Sequence, residues 1–133
     1  NNLMINSKSE IGTLAAIIQN DKMFNDKNVV KVITENKLKK NNFPKALNFT
    51  RENSLINNQN IYHHIGIYSY RISTLKKFVR LEQTNREKKN KLEQLRALDN
   101  KLKINVALAK SSPIGVDTEE DYLAIKKIMK YKP

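Results

Sequence analysis

Residues 61–70 read IYHHIGIYSY, and no other stretch constrains the fold as much. Isoleucine and tyrosine recur through it, as they do in strands. Successive side chains of a strand point to opposite faces. Tyr62, His64, Gly66, Tyr68 and Tyr70 therefore share one face, and His63, Ile65, Ile67 and Ser69 the other. Ile65 and Ile67 are expected in the core. The first face carries polar tips around a residue with no side chain, in a chain with only three glycines and two histidines. Glycine weakens a strand unless something must come close. Two readings follow: a ligand packed over Gly66 and touched by His64 and a tyrosine hydroxyl, or a half-exposed strand whose tyrosines shield the sheet.

Around this strand the chain alternates between apolar runs and amphipathic stretches. Residues 10–18 (EIGTLAAII), 28–34 (NVVKVIT), 45–51 (KALNFTR) and 103–109 (KINVALA) have strand length and composition, although 10–18 also suits a short buried helix. Residues 21–26 suit a short helix or loop, 35–44 a charged hairpin or loop, and 52–60 a polar loop. A helix is expected over 72–81. Thr84-Asn85-Arg86-Glu87 is a capping box, in which the threonine hydroxyl and the glutamate satisfy two helix-terminal amides reciprocally. The helix it opens is expected to run to about Leu98, with Leu92, Leu95 and Leu98 as its buried stripe. Thr118-Glu119-Glu120-Asp121 signals a last helix over 119–130, with Tyr122, Ile125, Ile128 and Met129 inward. Strands followed by alternating helix and strand mean an α/β domain, and 133 residues suit one such domain.

Composition narrows the function classes. The chain has no cysteine, so it has neither a disulfide framework nor a thiolate zinc site. No apolar run approaches the ~20 residues of a membrane helix, and the polar start NNLMINSKSE lacks the apolar region of a signal peptide; a cytoplasmic protein with no membrane association is expected. The net charge of +12 raises nucleic-acid binding. Its lysines are dispersed, however, and no basic run is interleaved with aromatic stacking platforms. No nucleic-acid partner is expected.

Two further stretches could carry chemistry. In residues 91–98 (KLEQLRAL), Glu93 and Gln94 flank the leucine stripe; they are either a solvated helix flank or hydrogen-bonding groups for a polyhydroxylated ligand. In residues 115–121 (GVDTEED), Asp117 sits just before a helix N-terminus. It can hold Mg²⁺, which takes one or two carboxylates plus substrate oxygens, or simply complement the helix dipole.

Taken together, FTR at 49–51, HHIGIYSYR at 63–71, KLEQLRAL at 91–98 and IGVDTEED at 114–121 resemble the C-terminal half of the 3-deoxy-manno-octulosonate (Kdo) cytidylyltransferases. TLA at 13–15 and NVVKV at 28–32 keep the same register. The resemblance implies an α/β fold of the nucleotidyltransferase (nucleotide-diphospho-sugar transferase-like) type, with a mixed, mostly parallel sheet flanked by helices. Residues 1–133 would be its sugar-binding and dimerisation half, without the N-terminal nucleotide-binding half. It implies CTP and Kdo as substrates, CMP-Kdo and pyrophosphate as products, Mg²⁺ as cofactor, and a homodimer serving lipopolysaccharide synthesis in the cytoplasm. By the family's pattern Arg51, His64, Glu93 and Gln94 line the sugar-acid pocket. Gly66, Tyr68 and Tyr70 are candidates for its wall, and Asp117 is the metal ligand. His63 is read as structural.

The chain also departs from that pattern. The family's triphosphate loop and its Gln-Gly-Asp-x-Pro turn are not in this sequence, and no Gly-rich phosphate loop replaces them. Met4 is either an internal start or a residue within something longer. Asn85 and Arg86 stand where the family has proline and an apolar residue, and Asn90 where it has glutamate. Three functions are therefore expected in competition: part of a working cytidylyltransferase completed by another chain, a non-catalytic sugar-binding or dimerisation module, and a basic nucleic-acid-binding domain. The retained Arg51, His64, Glu93, Gln94 and Asp117 set argues against the third.

Overall fold

The structure, a computed structural model, describes residues 9–53, 60–110 and 119–130. Five strands form one sheet: β1 (Ile11–Ala16), β2 (Lys31–Thr34), β3 (Ala46–Thr50), β4 (Asn60–Tyr70) and β5 (Ile104–Leu108), in the order β3-β2-β4-β1-β5. β4 is the run that dominates the sequence. Its first residues pair with β2, and residues 63–65 and 68–70 pair with β1, so one 11-residue strand holds the two halves of the sheet together.

The α/β class and the mixed sheet agree with expectation. The parallel majority does not: three of the four strand pairings are antiparallel, and only β1–β5 is parallel. Parallel neighbours need a crossover, usually helical. β5 enters the sheet after such a crossover, whereas β3 follows β2 through a loop that simply reverses the chain. β1 and β2 do run in the same direction, but β4 lies between them.

Helices α1 (Asp21–Asn25), α2 (Ile72–Phe78), α3 (Asn85–Asn90), α4 (Gln94–Asp99) and α5 (Glu119–Lys130) complete the described chain. The buried core gathers Ile11 and Ala15 of β1, Val32 of β2, Phe49 of β3, Tyr62 of β4 and Ile104 and Val106 of β5 beneath Phe78, Leu92 and Leu95. The tyrosine-bearing face of β4 is therefore the face that meets this core, with Tyr68 and Tyr70 packed against it. On the other face Ile65 is buried as expected, but Ile67 is 59% exposed. The cause is a bulge. Thr13 pairs with Tyr68 and Leu14 with Ile65, so Gly66 and Ile67 have no partner on β1 and are pushed outward. A Cβ on Gly66 would meet nothing within 4 Å.

The capping box forms as expected, with Thr84 and Glu87 bonded reciprocally. The single helix expected over 84–98 instead breaks at Lys91, which is left-handed at φ 54° and ψ 46°. The Leu92 amide donates to the Glu87 carbonyl at 3.2 Å, closing the turn, and Leu92 is buried beside Leu95. The break has a clear gain. In one continuous helix Glu87 and Arg96 would stand about 13 Å apart along the axis. Folded back, they form a two-pronged ion pair at 2.8 and 2.6 Å. Arg96 also lies 4.9 Å over the Phe78 ring. Its guanidinium holds the Glu87 carboxyl below the usual carboxylate range, against the opposing effect of burial. Tyr122, expected inward on α5, is 53% exposed; Ile125, Ile128 and Met129 lie outside the described side chains, as does the 118 capping signal.

Glu87→Gln is expected to destabilise the chain by roughly 3 kcal/mol, because it leaves a largely buried guanidinium without its charged partner. Urea unfolding at pH 7 measures this. A loss below about 0.5 kcal/mol would show that the helix break does not depend on the pair.

Candidate functional site

The sheet's end brings the first two predicted residues together. Arg51 follows the last residue of β3, and Phe49, two positions earlier on the same face, stacks edge-on against the His64 ring at 4.9 Å between centroids. The His64 amide donates to the Val30 carbonyl at the head of β2. Arg51 and His64 thus sit on one sheet face, on strands either side of β2, with backbones roughly 10 Å apart.

The helix break supplies the other side. Among the described residues Arg51 makes only long contacts, from Nε to the Asn90 carbonyl at 3.4 Å and from its terminal nitrogens to the carbonyls of Lys27 at 3.4 Å and Lys91 at 3.5 Å. Its charge therefore faces neutral oxygens at the α3–α4 junction, and among the described residues no carboxylate reaches it within ion-pair distance. Glu93 and Gln94 follow that junction directly. Glu93 lines a surface cleft of about 580 Å³ with Glu87, Lys91, Leu92 and Arg96. Arg51, His64 and Gln94 are not part of that cleft's lining.

A row of rings connects the two sides. Phe49, His64, Tyr68, Tyr70 and Phe78 follow one another at centroid spacings of 4.9, 5.5, 6.0 and 6.0 Å, ending under Arg96. Tyr68 and Tyr70 thereby stand in the ring row between His64 and Phe78. Burial pushes the Tyr68 phenol well above its ordinary range, with Tyr70 and Glu93 adding to the shift. Tyr70 moves the same way through burial and then Glu93. Both hydroxyls stay protonated and can donate to a ligand. Gly66 is exposed at the bulge, with open space where a side chain would project.

His64 is 7% exposed, and burial, with His63 adding to it, lowers its pKa from 6.5 to about 4. It is a neutral imidazole at pH 7. His63 is lowered too, by burial and then by Lys31.

Two residues that the motif reading passed over shape the site. Lys31 is 1% exposed, and its ammonium donates to the carbonyls of Asp26 at 2.7 Å and Arg51 at 2.8 Å. It pins the Arg51 backbone to the loop before β2. Its signal was a lysine inside the β-branched run NVVKVIT. Thr13 bonds His64 from β1, and nothing local in TLA announces that.

The departures from the family pattern serve packing here. Arg86 pairs with Asp99 at 2.8 Å and donates to the Asn48 amide oxygen at 3.2 Å, tying α3 to α4 and β3. The Asn90 side chain donates to the Arg86 carbonyl at 2.9 Å. Asp117 lies outside the described residues. Among those described, no group of three His, Cys, Asp or Glu side chains is placed to hold a metal ion, and no helix is long and apolar enough to cross a membrane.

A buried neutral His64 ties stability to pH. Its folded pKa lies below its unfolded value, so its contribution is complete above pH 6.5 and is lost as pH falls towards 4. The shift corresponds to about 3 kcal/mol. Urea unfolding of the wild type between pH 7 and pH 4 should show this slope, and in His64→Phe it should be shallower by about that amount, with His63 and Glu87 supplying what remains; identical slopes would mean that His64 is not buried as a neutral ring.

Comparison with known proteins gives a consistent picture. The family model described as cytidylyltransferase matches residues 2–104. The chain is 40% identical over 131 residues to a 3-deoxy-manno-octulosonate cytidylyltransferase of Bartonella bacilliformis, covering 96% of this chain and 51% of the relative. It is 43% identical over 124 residues to the protein of that name from Bartonella henselae, covering 93% and 50%. The chain thus spans about half the length of the curated relatives it matches. Among solved structures it resembles a CMP:2-keto-3-deoxy-manno-octonic acid synthetase complexed with CTP, with a TM-score of 0.78, 23% identity, and coverage of 96% of this chain and 52% of that one. At that identity the likeness establishes the fold.

Proposed function

This chain belongs to the cytidylyltransferase family, and we propose that it forms the sugar-acid-binding half of an enzyme that activates Kdo with CTP. A Kdo hydroxyl attacks the α-phosphate of CTP. The new phosphate ester bond forms as the α–β anhydride bond breaks, pyrophosphate leaves, and the hydroxyl proton passes to solvent. Phosphoryl transfer of this kind depends on positioning and charge stabilisation, and this half contributes to the positioning of the acceptor.

The observation that carries the reading is Arg51, a guanidinium on the His64 face of the sheet that, among the described residues, meets only main-chain carbonyls. A sugar-acid carboxylate satisfies such a group two-pronged. Neutral His64 serves a sugar hydroxyl, and Glu93 and Gln94, at the junction that Arg51 touches, serve others.

Mg²⁺ is proposed for the whole enzyme, with Asp117 as one ligand; one carboxylate plus phosphate oxygens is within its habit. The described residues gather no such donor set, so the steps assigned to this chain are those of sugar binding. The triphosphate cradle is assigned to another half. A cytoplasmic role in lipopolysaccharide synthesis follows from the product. Pyrophosphate release with CTP, Kdo and Mg²⁺ is expected to be absent or weak for the 133-residue chain alone, while calorimetry shows Kdo binding. Arg51→Ala should weaken that binding by about 2 kcal/mol, roughly thirtyfold. Turnover by the chain alone, abolished in Asp117→Ala, would refute the division of labour. Kdo binding indifferent to Arg51 would refute the site.

A homodimer is proposed through α2. Ile72, Leu75 and Val79 recur at helical spacing and are 74%, 42% and 68% exposed, an apolar stripe that a second copy would cover. Sedimentation should report a dimer that Ile72→Glu with Val79→Glu converts to monomer; a monomeric wild type would reject it.

A further inference from the structure

Thr13 is a hydroxyl placed inside an apolar core, 1% exposed on β1 between Ile11 and Ala15. Its Oγ1 lies 2.9 Å from His64 Nε2, 2.9 Å from the Ile67 carbonyl and 3.3 Å from the Ile65 carbonyl. Two carbonyls of β4 converge on it because of the bulge. The register slips by two residues between Thr13 and Leu14, so the main chain at Gly66 and Ile67 loops past Thr13 instead of pairing with it.

Proton counting then decides how His64 is held. A threonine hydroxyl has one proton to give and lone pairs to receive. Carbonyls only accept, and an Oγ1 that gave its proton to Nε2 would face the Ile67 oxygen at 2.9 Å with no hydrogen between them; the arrangement that satisfies all three contacts sends the proton to a carbonyl, of which Ile67 is the nearer. What Oγ1 offers Nε2 is a lone pair, so Nε2 must carry the imidazole hydrogen. A neutral imidazole has only one such hydrogen, which leaves Nδ1 as an acceptor. The ring is neutral at pH 7, as its burial dictates. Nδ1 makes no hydrogen bond to a described residue and is not among the sealed, unpartnered atoms.

We propose that Thr13 is a positioning residue that locks His64 in the Nε2–H tautomer, so that Nδ1 faces a ligand as a hydrogen-bond acceptor and selects a donating sugar hydroxyl. The ligand part rests on the sugar-site reading above; the lock on the ring does not. Arg51 and His64 then divide the ligand between them: a fixed cation for the carboxylate, and a fixed neutral acceptor for a hydroxyl.

The test reads the tautomer directly from imidazole ¹⁵N resonances of the labelled chain at pH 7, with His63→Gln, which leaves one histidine, securing the assignment. The wild type should show a protonated Nε2 and a bare Nδ1. Thr13→Val keeps the branched shape but removes the acceptor; a buried N–H without a partner is disfavoured, so roughly half or more of the ring should move to the Nδ1–H form. Thr13→Ser should restore the wild-type spectrum. A wild-type ring protonated at Nδ1, or a Thr13→Val spectrum identical to wild type, overturns the inference. The wild-type spectrum can refute it even if Thr13→Val fails to fold, and Thr13→Ser then supplies the second reading: loss of the Nε2–H form in that folded variant also overturns it. Added Kdo should move the Nδ1 resonance, and Thr13→Val should bind Kdo roughly tenfold more weakly. An Nδ1 resonance unmoved by saturating Kdo, with the tautomer as described, overturns the sugar-site reading and the ligand part together and leaves the Thr13 lock standing.

Discussion

The ion pair between Glu87 and Arg96 is the constraint on which the site depends. Both side chains are largely removed from water, 5% and 13% exposed. Carboxylate and guanidinium in that position require each other, because either alone would be a desolvated charge. To meet, the two short helices must fold back on each other, and the chain accepts a left-handed Lys91 to do so. A non-glycine residue there costs about 1–2 kcal/mol. Burial of Leu92 and the Glu87 carbonyl's double hydrogen bond offset that cost. The folded-back junction is what turns the Asn90 and Lys91 carbonyls towards Arg51, with Glu93 and Gln94 following those residues in the chain.

Charge is distributed across the site with a consistent logic. Lys31 and Arg51 are cations surrounded by carbonyl oxygens, which solvate positive charge without cancelling it. His64 is kept neutral by burial among aromatic rings, and Tyr68 and Tyr70 are kept protonated by the same surroundings. An anionic, polyhydroxylated molecule suits that combination: one fixed positive end, then neutral donors and acceptors along an aromatic wall. The chain's net charge of +12 plays little part in this, because the groups that count are a few cations in fixed positions.

Much of the fold was legible in order and type. The strands read from β-branched alternation, the Thr84 capping box and the last helix all stand where the pattern put them. The antiparallel balance was not legible, because period-two alternation looks the same whichever way a neighbour runs. The fate of Ile67 was not legible either: a bulge is set by how two strands match in length and register, and β4 alone does not contain that information. The break at Lys91 escaped for a related reason. Lysine is a good helix former, and what takes position 91 out of the helix is the burial of Leu92 and the pairing of Glu87 with Arg96, which local propensity does not show.

For the site, the sequence by itself determined which residue types are present and how they are spaced: Arg51 after a strand, His64 beside a glycine, Glu93-Gln94 within a leucine stripe. Those follow from side-chain chemistry and local periodicity, which act over a few residues. Tertiary structure alone decided that Arg51 and His64 share a face across β2, that a ring row joins them to the helix junction, and that Thr13, 51 residues before His64, holds its imidazole. The physical reason is that tautomer, desolvation and free charge are properties of a surrounding. That surrounding exists only once segments far apart in the chain have packed.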